Sequence, residues 1–192
     1  MINLPYESTS ILINNKNTNI FYQGNAELLK NPSISVTGAR KSTPLALSIL
    51  EKRLKSIASK YTVVSGYAAG ADETAHLTAL KSNGNTIVVL PNGLKAFYIK
   101  SCYKGFWDWN RVLVISQFPI DSPWSSSNAF KRNEVIVGLS PKIISVHPGL
   151  KGGTYNATMM AIKWKKEIWV TESNSDGFDY FIESGAKPLT LG

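Results

Sequence analysis

The sequence predicts an α/β fold, a three-layer sandwich in which helices cover both faces of a mainly parallel central sheet. Short apolar runs alternate with segments of helical periodicity along most of the chain. Two of these runs end in a glycine turn that leads directly into a helical pattern, at 34–44 and 62–76. Ligands of such sheets bind beyond the carboxyl ends of the strands, where both glycine turns fall.

The apolar runs predict six strands, at 34–37, 62–65, 86–90, 111–116, 142–146 and 167–171. A helix is expected over 44–60, because apolar residues recur there at helical spacing. Thr43 is its expected N-cap and Pro44 its first residue, while Glu51 and Lys55 are spaced to pair.

The chain, 1–192, has a length typical of a single domain. We expect residues 1–30 to form an N-terminal appendage and residues 173–192 an irregular C-terminal edge. Between the strands, 91–110 and 117–131 are expected to be irregular, and the second is long and polar enough to be a functional loop. Neither a secretory leader nor a run of about 18 apolar residues is present, so no membrane insertion or export is expected.

The composition is basic, with 21 Lys and Arg against 13 Asp and Glu and a net charge of +8. This balance favours a polyanionic partner, most simply nucleic acid. The alternative is a generally basic protein in which Lys163, Lys165 and Lys166 form a solvated helix face.

The single cysteine, Cys102, excludes an internal disulfide, suits a cytoplasmic location and is expected to be buried as a small apolar residue.

The first glycine turn offers several groups to an anion. Gly38 permits the bend, Ala39 follows it, and Arg40 and Lys41 bring charge. Ser42 is placed either to cap the next helix or to bond a phosphate oxygen, and a helix N-terminus itself attracts anions. By itself the turn matches neither of the common phosphate-binding motifs, so an ordinary capped turn with surface cations remains an equal alternative.

The second turn is built from small residues, among them Ser65, Gly66 and Gly70, which leave little side chain between backbone and ligand. Asp72 and His76 follow one helical turn apart. They form either a general acid/base pair or a capping carboxylate beside a hydrogen-bonded core histidine, and the second interpretation is favoured. His76 and His147 lack the companions of a metal site, and we expect no metal, no cofactor and no catalytic residue.

Two further segments are candidates for phosphate binding. Lys131, Arg132 and Asn133 stand where the polar loop is expected to meet a helix, so the two cations oppose the helix dipole, which favours a functional role as a clamp. Gly152, Gly153 and Thr154 form another glycine turn, with a simple helix cap as the alternative.

Aromatic residues cluster at 97–109, interleaved with Lys100 and Lys104. Stacking on unpaired bases is one interpretation of this cluster. Burial or a subunit contact is favoured, because aromatic residues most often belong to cores and interfaces.

Taken in order, these segments resemble the DprA/Smf family of DNA-processing proteins from residue 19 onward. The sequence VVSGYAAGADETAH at 63–76 is similar to the family block V-V-S-G-x-A-x-G-I-D-x-x-A-H, and FKRNEVIVGLS at 130–140 is similar to F-x-x-R-N-R-I-I-x-G-L-S. The turn at 38–43 and the run at 86–94 also match. The chain departs from the family at Ala71, at Glu134 and at His147-Pro148, and its Lys151-Gly152-Gly153-Thr154 replaces the family's S-G-S-L.

The resemblance implies a Rossmann-like homodimer that binds single-stranded DNA without catalysis. It also implies help in loading a RecA-type recombinase during natural transformation, recombination or repair. The residues implied for the pocket are Gly38, Arg40, Ser42, Ser65, Gly66, Gly70, Lys131, Arg132 and Asn133.

The glycine turn at 152–154 also resembles the related LOG-type phosphoribohydrolases and the nucleotide-sensing modules of defence systems. A nucleotide-binding module therefore remains the main alternative. A hydrolase is disfavoured, because 154–157 reads Thr-Tyr-Asn-Ala and lacks the carboxylate that would assist cleavage of the glycosidic bond.

Overall fold

The computed structural model describes residues 4–191. The strands in this part of the chain are β1 (Glu7–Ile13), β2 (Lys16–Gly24), β3 (Ser33–Gly38), β4 (Thr62–Ser65), β5 (Thr86–Val89), β6 (Val112–Ser116), β7 (Lys142–Val146), β8 (Glu167–Thr171) and β9 (Lys187–Leu189). The helices are α1 (Pro44–Ile57), α2 (Ala71–Lys81), α3 (Ser126–Leu139), α4 (Gly152–Lys163) and α5 (Asp176–Glu183).

All nine strands belong to one sheet, in the order β1-β2-β6-β5-β4-β3-β7-β8-β9. From β6 to β9 every neighbouring pair is parallel, whereas β1, β2 and β6 pair antiparallel. The six strands expected from the apolar runs are all present, with ends that agree within one residue. The predicted α/β class with a mainly parallel sheet is therefore confirmed.

The sheet is covered on both faces, as three layers require. On one face α1 and α2 pack through Leu54 and Ala75 against strand residues such as Val36. On the other face α3 places Val135 and Ile136 against β4, β5 and β6. Because both faces are covered, β4, β5 and β6 are buried along their whole length, and their sequences are continuous apolar runs rather than alternating ones.

Helix α1 begins as the sequence predicts. Thr43 is its N-cap and accepts a hydrogen bond from the Ala46 amide at 3.3 Å, and Pro44 is its first residue. The Lys55 ammonium lies 2.7 Å from the Glu51 carboxylate, which confirms their expected pairing.

Helix α3 differs from the prediction, since it begins at Ser126, inside the segment 117–131 that was expected to be irregular. The Ser125 hydroxyl caps it by accepting a hydrogen bond from the Asn128 amide at 3.0 Å. A polar serine run thus starts a helix rather than a loop. Lys131, Arg132 and Asn133 consequently lie in the middle of α3, and the expected conflict with the helix dipole does not arise.

Both ends of the chain contribute regular structure to the sheet. Residues 1–30, expected as an appendage, contain the hairpin of β1 and β2, which turns at Asn14 and Asn15 with φ of 46° and 64°. The expectation of an irregular edge over 173–192 is wrong, because α5 and β9 lie there. Phe178, Phe181 and Ile182 recur at helical spacing in α5 and pack into the core, which explains its formation.

The aromatic segment 97–109 is largely packed against the protein. Tyr103 is fully buried, and Phe97, Trp107 and Trp109 lie around it in contact with β5 and β6. This confirms the favoured interpretation of burial for these side chains. Cys102, however, is exposed, contrary to the prediction, because the short turn at Ser101–Tyr103 directs Tyr103 inward instead.

Within residues 4–191, none of the helices is both long enough and apolar enough to span a membrane.

Candidate functional site

Two adjoining cavities open at the carboxyl ends of the parallel strands. The larger has a volume of about 510 Å³ and lies between the turn after β3, helix α3 and the start of α4. The smaller, of about 360 Å³, lies between the turn after β4 and the segment that follows β5. Arg40, Ala68, Trp124, Ala129 and Arg132 line both cavities, so the two form one continuous groove.

The structure brings about half of the sequence-predicted site residues to this groove. The predicted residues that line the larger cavity are Gly38, Ala39, Arg40, Arg132, Asn133, Gly153 and Thr154. The predicted residues that line neither cavity are Lys41, Ser42, Ser65, Gly66, Gly70, Lys131 and Gly152. In each predicted cation pair, Arg40-Lys41 and Lys131-Arg132, the arginine lines the groove and the lysine does not.

Arg132 is the cation set deepest in the groove. Its Nη1 donates a hydrogen bond to the carbonyl of Val89 at 2.9 Å, while its buried Nε has no hydrogen-bond partner among the described residues. Burial lowers the pKa of Arg132, the charge of nearby Asp72 raises it, and the charge of Arg40 lowers it. An anion in the groove would pair with this partly desolvated guanidinium and offset the cost of burying it.

The N-terminus of α4 provides a second attraction for an anion. Lys151 is the N-cap and makes no side-chain capping bond, so its side chain leaves the first amides of α4 open. Gly153 and Thr154, in the first turn, line the larger cavity, and the Asn133 side chain fixes this start by donating to the Gly153 carbonyl at 3.2 Å. Free amides at a helix start bind phosphate well.

The glycines of the two turns make room for protein atoms rather than for a ligand. A Cβ on Gly38 would overlap the side chain of Ala71, and one on Gly66 would overlap the guanidinium of Arg132. Gly70 has a φ of +79°, and a Cβ there would lie 2.5 Å from the Arg40 carbonyl oxygen. These close approaches hold the first turn against the second, and Arg40 and Arg132 both line the two cavities.

Ser65 and Ser42 shape the turns. Ser65 is fully buried, and its hydroxyl lies 2.8 Å from Asp72 Oδ1. Asp72 Oδ2 accepts a hydrogen bond from the Ala68 amide at 3.2 Å, which closes the second turn. Ser42 donates to the Ala39 carbonyl at 2.8 Å within the first turn. Both hydroxyls are thus engaged in the protein, and that of Ser65 is out of reach of a ligand.

His76 is a fully buried core residue, which supports the favoured interpretation over an acid/base pair. Nε2 lies 2.5 Å from the Gly66 carbonyl and Nδ1 lies 2.7 Å from the Thr86 hydroxyl. A proton on Nε2 is donated to the Gly66 carbonyl, whereas the Thr86 hydroxyl, which also lies 2.8 Å from the Val63 carbonyl, has a single proton for that carbonyl and Nδ1. Burial lowers the pKa of His76 to about 4, against the weaker raising effect of the hydrogen bond to Gly66.

This shift predicts a loss of stability in mild acid. An unfolded histidine takes up a proton near pH 6.5, whereas folded His76 does so only near pH 4. Stability is therefore complete above about pH 6.5 and falls below it, by about 2 kcal/mol at pH 5. Urea denaturation of the wild type and His76→Gln at pH 7.5 and pH 5 measures this: the variant should be less stable at pH 7.5 but lose less on acidification. Equal losses in both proteins would contradict the prediction.

His147 has a structural contact at the base of the first turn. Its φ of 49° turns the chain after β7, and its Nδ1 accepts a hydrogen bond from the Thr43 amide at 3.1 Å. Among residues 4–191 there is no group of three or more His, Cys, Asp or Glu side chains arranged to hold a metal ion.

The groove also contains residues outside the predicted site, although Tyr98 and Lys100 belong to the aromatic segment 97–109, for which base stacking was the alternative interpretation. Trp124, at the junction of the two cavities, is 56% exposed, and Tyr98, on the wall of the smaller one, is 69% exposed. Lys151 adds charge to the larger cavity and Lys100 to the smaller. A tryptophan in the polar stretch SPWSSS was the available signal for Trp124, because a large aromatic residue there has no apolar neighbours in sequence to pack with.

Comparison with known proteins identifies relatives that are similar to this chain in sequence and in fold. The DNA processing protein DprA of Streptococcus pneumoniae is 31% identical over 180 residues, which cover 90% of this chain and 64% of that protein. The crystal structure of the Streptococcus pneumoniae protein matches with a TM-score of 0.81 at 29% identity, over 90% of this chain and 63% of the other.

A DNA processing protein A from Helicobacter pylori has the same fold. It matches with a TM-score of 0.83 at 23% identity, over 96% of this chain and 91% of the other. The present chain thus spans somewhat less than two thirds of the Streptococcus pneumoniae relative, and it retains the fold of both.

The family model described as DNA recombination-mediator protein A matches residues 5–191, which include every strand, every helix and both cavities described above. Sequence, fold and family model agree, and the chain belongs to the DprA/Smf family of DNA recombination-mediator proteins.

Proposed function

We propose that this protein binds the backbone of single-stranded DNA in the groove and takes part in DNA processing without catalysing a reaction. The observation that carries the proposal is that Arg40 and Arg132 both line the two cavities of the groove. The Nε of Arg132 is buried and has no hydrogen-bond partner among the described residues. The open N-terminus of α4 faces the larger cavity. These groups suit successive phosphates of one strand.

The aromatic rim favours a single strand over a duplex. Trp124 and Tyr98 are more than half exposed, and Phe130, at 45%, lines the larger cavity beside them. Exposed aromatic rings stack on unpaired bases, whose faces are hidden in a duplex. The Helicobacter pylori relative is described as binding single-stranded DNA, which supports the same ligand class here.

The family resemblance extends the proposal to a homodimer that assists a RecA-type recombinase in transformation, recombination or repair. The absence of catalysis rests on the carboxylates at the groove. Asp72 lines the larger cavity, but both of its oxygens are engaged with Ser65 and Ala68 inside the second turn. The stretch 154–157 reads Thr-Tyr-Asn-Ala, so the acid that follows the threonine in the related hydrolases is missing.

Arg40→Ala and Lys41→Ala form a matched pair for the test, because both remove one positive charge from the same turn and only Arg40 lines the groove. Fluorescence anisotropy with labelled dT20 should show about tenfold weaker binding for Arg40→Ala and little change for Lys41→Ala. The log–log dependence of affinity on salt should become shallower by about 0.7 for each phosphate that the variant no longer binds.

A competition measures the main alternative. Unlabelled oligothymidylates should displace the probe increasingly well with length, because each added phosphate binds to the groove in turn. Displacement by a nucleoside monophosphate as effective as by dT20 would identify a nucleotide-binding module instead. Equally weakened binding in Arg40→Ala and Lys41→Ala would show that overall charge, not the groove, binds the DNA.

A further inference from the structure

A second basic surface lies at the opposite edge of the sheet, where the parallel strands begin. We define the lysine row as the lysines at the start of four strands. They are Lys60 before β4, Lys142 in β7, Lys165 and Lys166 before β8, and Lys187 in β9. In the sheet these strands lie in the order β4-β3-β7-β8-β9. The row therefore crosses five adjacent strands and is about 19 Å long.

The row is poorly neutralised. Within residues 4–191, Glu167 is the one carboxylate within 4.0 Å of these ammonium groups, at 2.8 Å from Lys187 and 3.4 Å from Lys142. Lys60, Lys165 and Lys166 have no ion pair in that part of the chain. Most of the positive charge along this edge is therefore free to attract an anion.

Helix dipoles account for only part of this charge. Cations at the carboxyl ends of α1 and α4, such as Lys55 and Lys163, complement those dipoles. Lys142 and Lys187 are strand residues, and Lys166 lies beyond the end of α4. Lys166 is half-buried, and burial lowers its pKa without any compensating carboxylate. A desolvated, unpaired cation is costly for the fold, which favours a role in binding.

Aromatic rings hold some of these cations in place along the edge. The Lys142 ammonium lies 5.6 Å from the centre of the Tyr61 ring. Trp169 has the Lys187 ammonium at 5.2 Å and the Arg53 guanidinium at 5.4 Å from its ring. These contacts restrict long side chains before any ligand arrives, which lowers the entropy cost of binding.

We propose that the lysine row binds the phosphate backbone of a second segment of DNA, separate from the one in the groove. A five-residue strand such as β7 separates the two surfaces by about 15 Å. This exceeds the screening length of about 10 Å at 0.1 M salt, so the two surfaces act as distinct sites. A row of cations along one edge of the sheet suits the repeating negative charge of a nucleic-acid backbone. The inference takes only the identity of the polyanion from the proposed function.

Counting short oligonucleotides per chain tests this directly. Sedimentation velocity of the full chain with saturating fluorescent dT6 should show two oligonucleotides per chain in the wild type. One should remain in the variant Lys60→Gln/Lys165→Gln/Lys166→Gln, which removes no ion pair seen in residues 4–191. Fewer than two should also be bound by Arg40→Ala at a dT6 concentration that just saturates the wild type, because the groove of this variant binds about tenfold more weakly. The control Lys16→Gln/Lys81→Gln/Lys104→Gln removes the same charge elsewhere and should retain two.

Each of the other outcomes overturns this inference, the groove proposal or both. One oligonucleotide per chain in the wild type, absent in Arg40→Ala and kept in the lysine-row variant, would overturn this inference and leave the groove proposal intact. A single oligonucleotide per wild-type chain that is lost only in the lysine-row variant would overturn the groove proposal instead. No binding at all would overturn both. Binding of polyglutamate but not dT6 at the row would indicate an acidic protein partner and overturn the inference.

Discussion

Replacing Arg132 with alanine is expected to weaken binding of single-stranded DNA by about 10- to 100-fold, which corresponds to the loss of one or two hydrogen bonds to a charged group. The guanidinium lies between the two cavities and has an unpartnered, buried Nε. Anisotropy titrations with dT20 at several salt concentrations measure both the affinity and the number of phosphates bound. Affinity and salt dependence should fall together.

The neighbouring residue supplies the control. Lys131 precedes Arg132 in α3 but is exposed and lines neither cavity, so Lys131→Ala should change affinity by less than about threefold. Arg132→Met keeps most of the side-chain volume and removes the charge. It should bind as weakly as Arg132→Ala while folding at least as stably as the wild type, since it removes a desolvated cation. Tight binding by Arg132→Met would contradict the proposed role.

Replacing Gly38 with alanine is expected to lower the free energy of unfolding by about 1–3 kcal/mol. The added methyl group would overlap the Ala71 side chain and lie 2.8 Å from Val146 Cβ, and neither α2 nor β7 has free space to receive it. Urea denaturation measures the change as a lower midpoint. Because Gly38 also lines the larger cavity, displacement of the first turn should weaken DNA binding as well.

Gly105 is the matched control for this substitution. A Cβ added there would meet nothing within 4 Å, and its φ lies outside the left-handed region. Gly105→Ala should therefore be neutral or stabilise the protein by about 0.5 kcal/mol through the lower entropy of the unfolded chain. Equal destabilisation by the two substitutions would show that Gly38 is not held by close packing.

Local sequence patterns were sufficient for the central sheet and its first helix. Strands that helices cover on both faces have continuous apolar sequences, which are easy to recognise. Thr43 and Pro44 mark the start of α1 in the same local way, as an N-cap followed by a first-turn proline. The hairpin of β1 and β2 was missed because its apolar runs, at 11–13 and 20–22, are only three residues long and are separated by polar, mostly exposed residues. The start of α3 was missed because a serine run is compatible with both a loop and an N-cap.

The same limits apply to the candidate site. The sequence alone identified the segments that surround the groove, since glycine turns after parallel strands must meet at one edge of the sheet. Within a segment it could not separate Arg40 from Lys41 or Arg132 from Lys131, because adjacent side chains have equal charge and differ only in direction. Trp124 and Tyr98 joined the groove from distant parts of the chain, which no local pattern encodes.

By itself, then, the sequence determined the fold class, six of the seven parallel strands described and the basic turns at the carboxyl edge of the sheet, because periodicity and turn chemistry are local properties. Only the tertiary structure decided which cations face the groove, that the glycines serve packing between turns, and that a row of lysines lies along the opposite edge of the sheet. Those features depend on where strands distant in sequence are placed side by side, and on which side chains remain in solvent once the layers have packed.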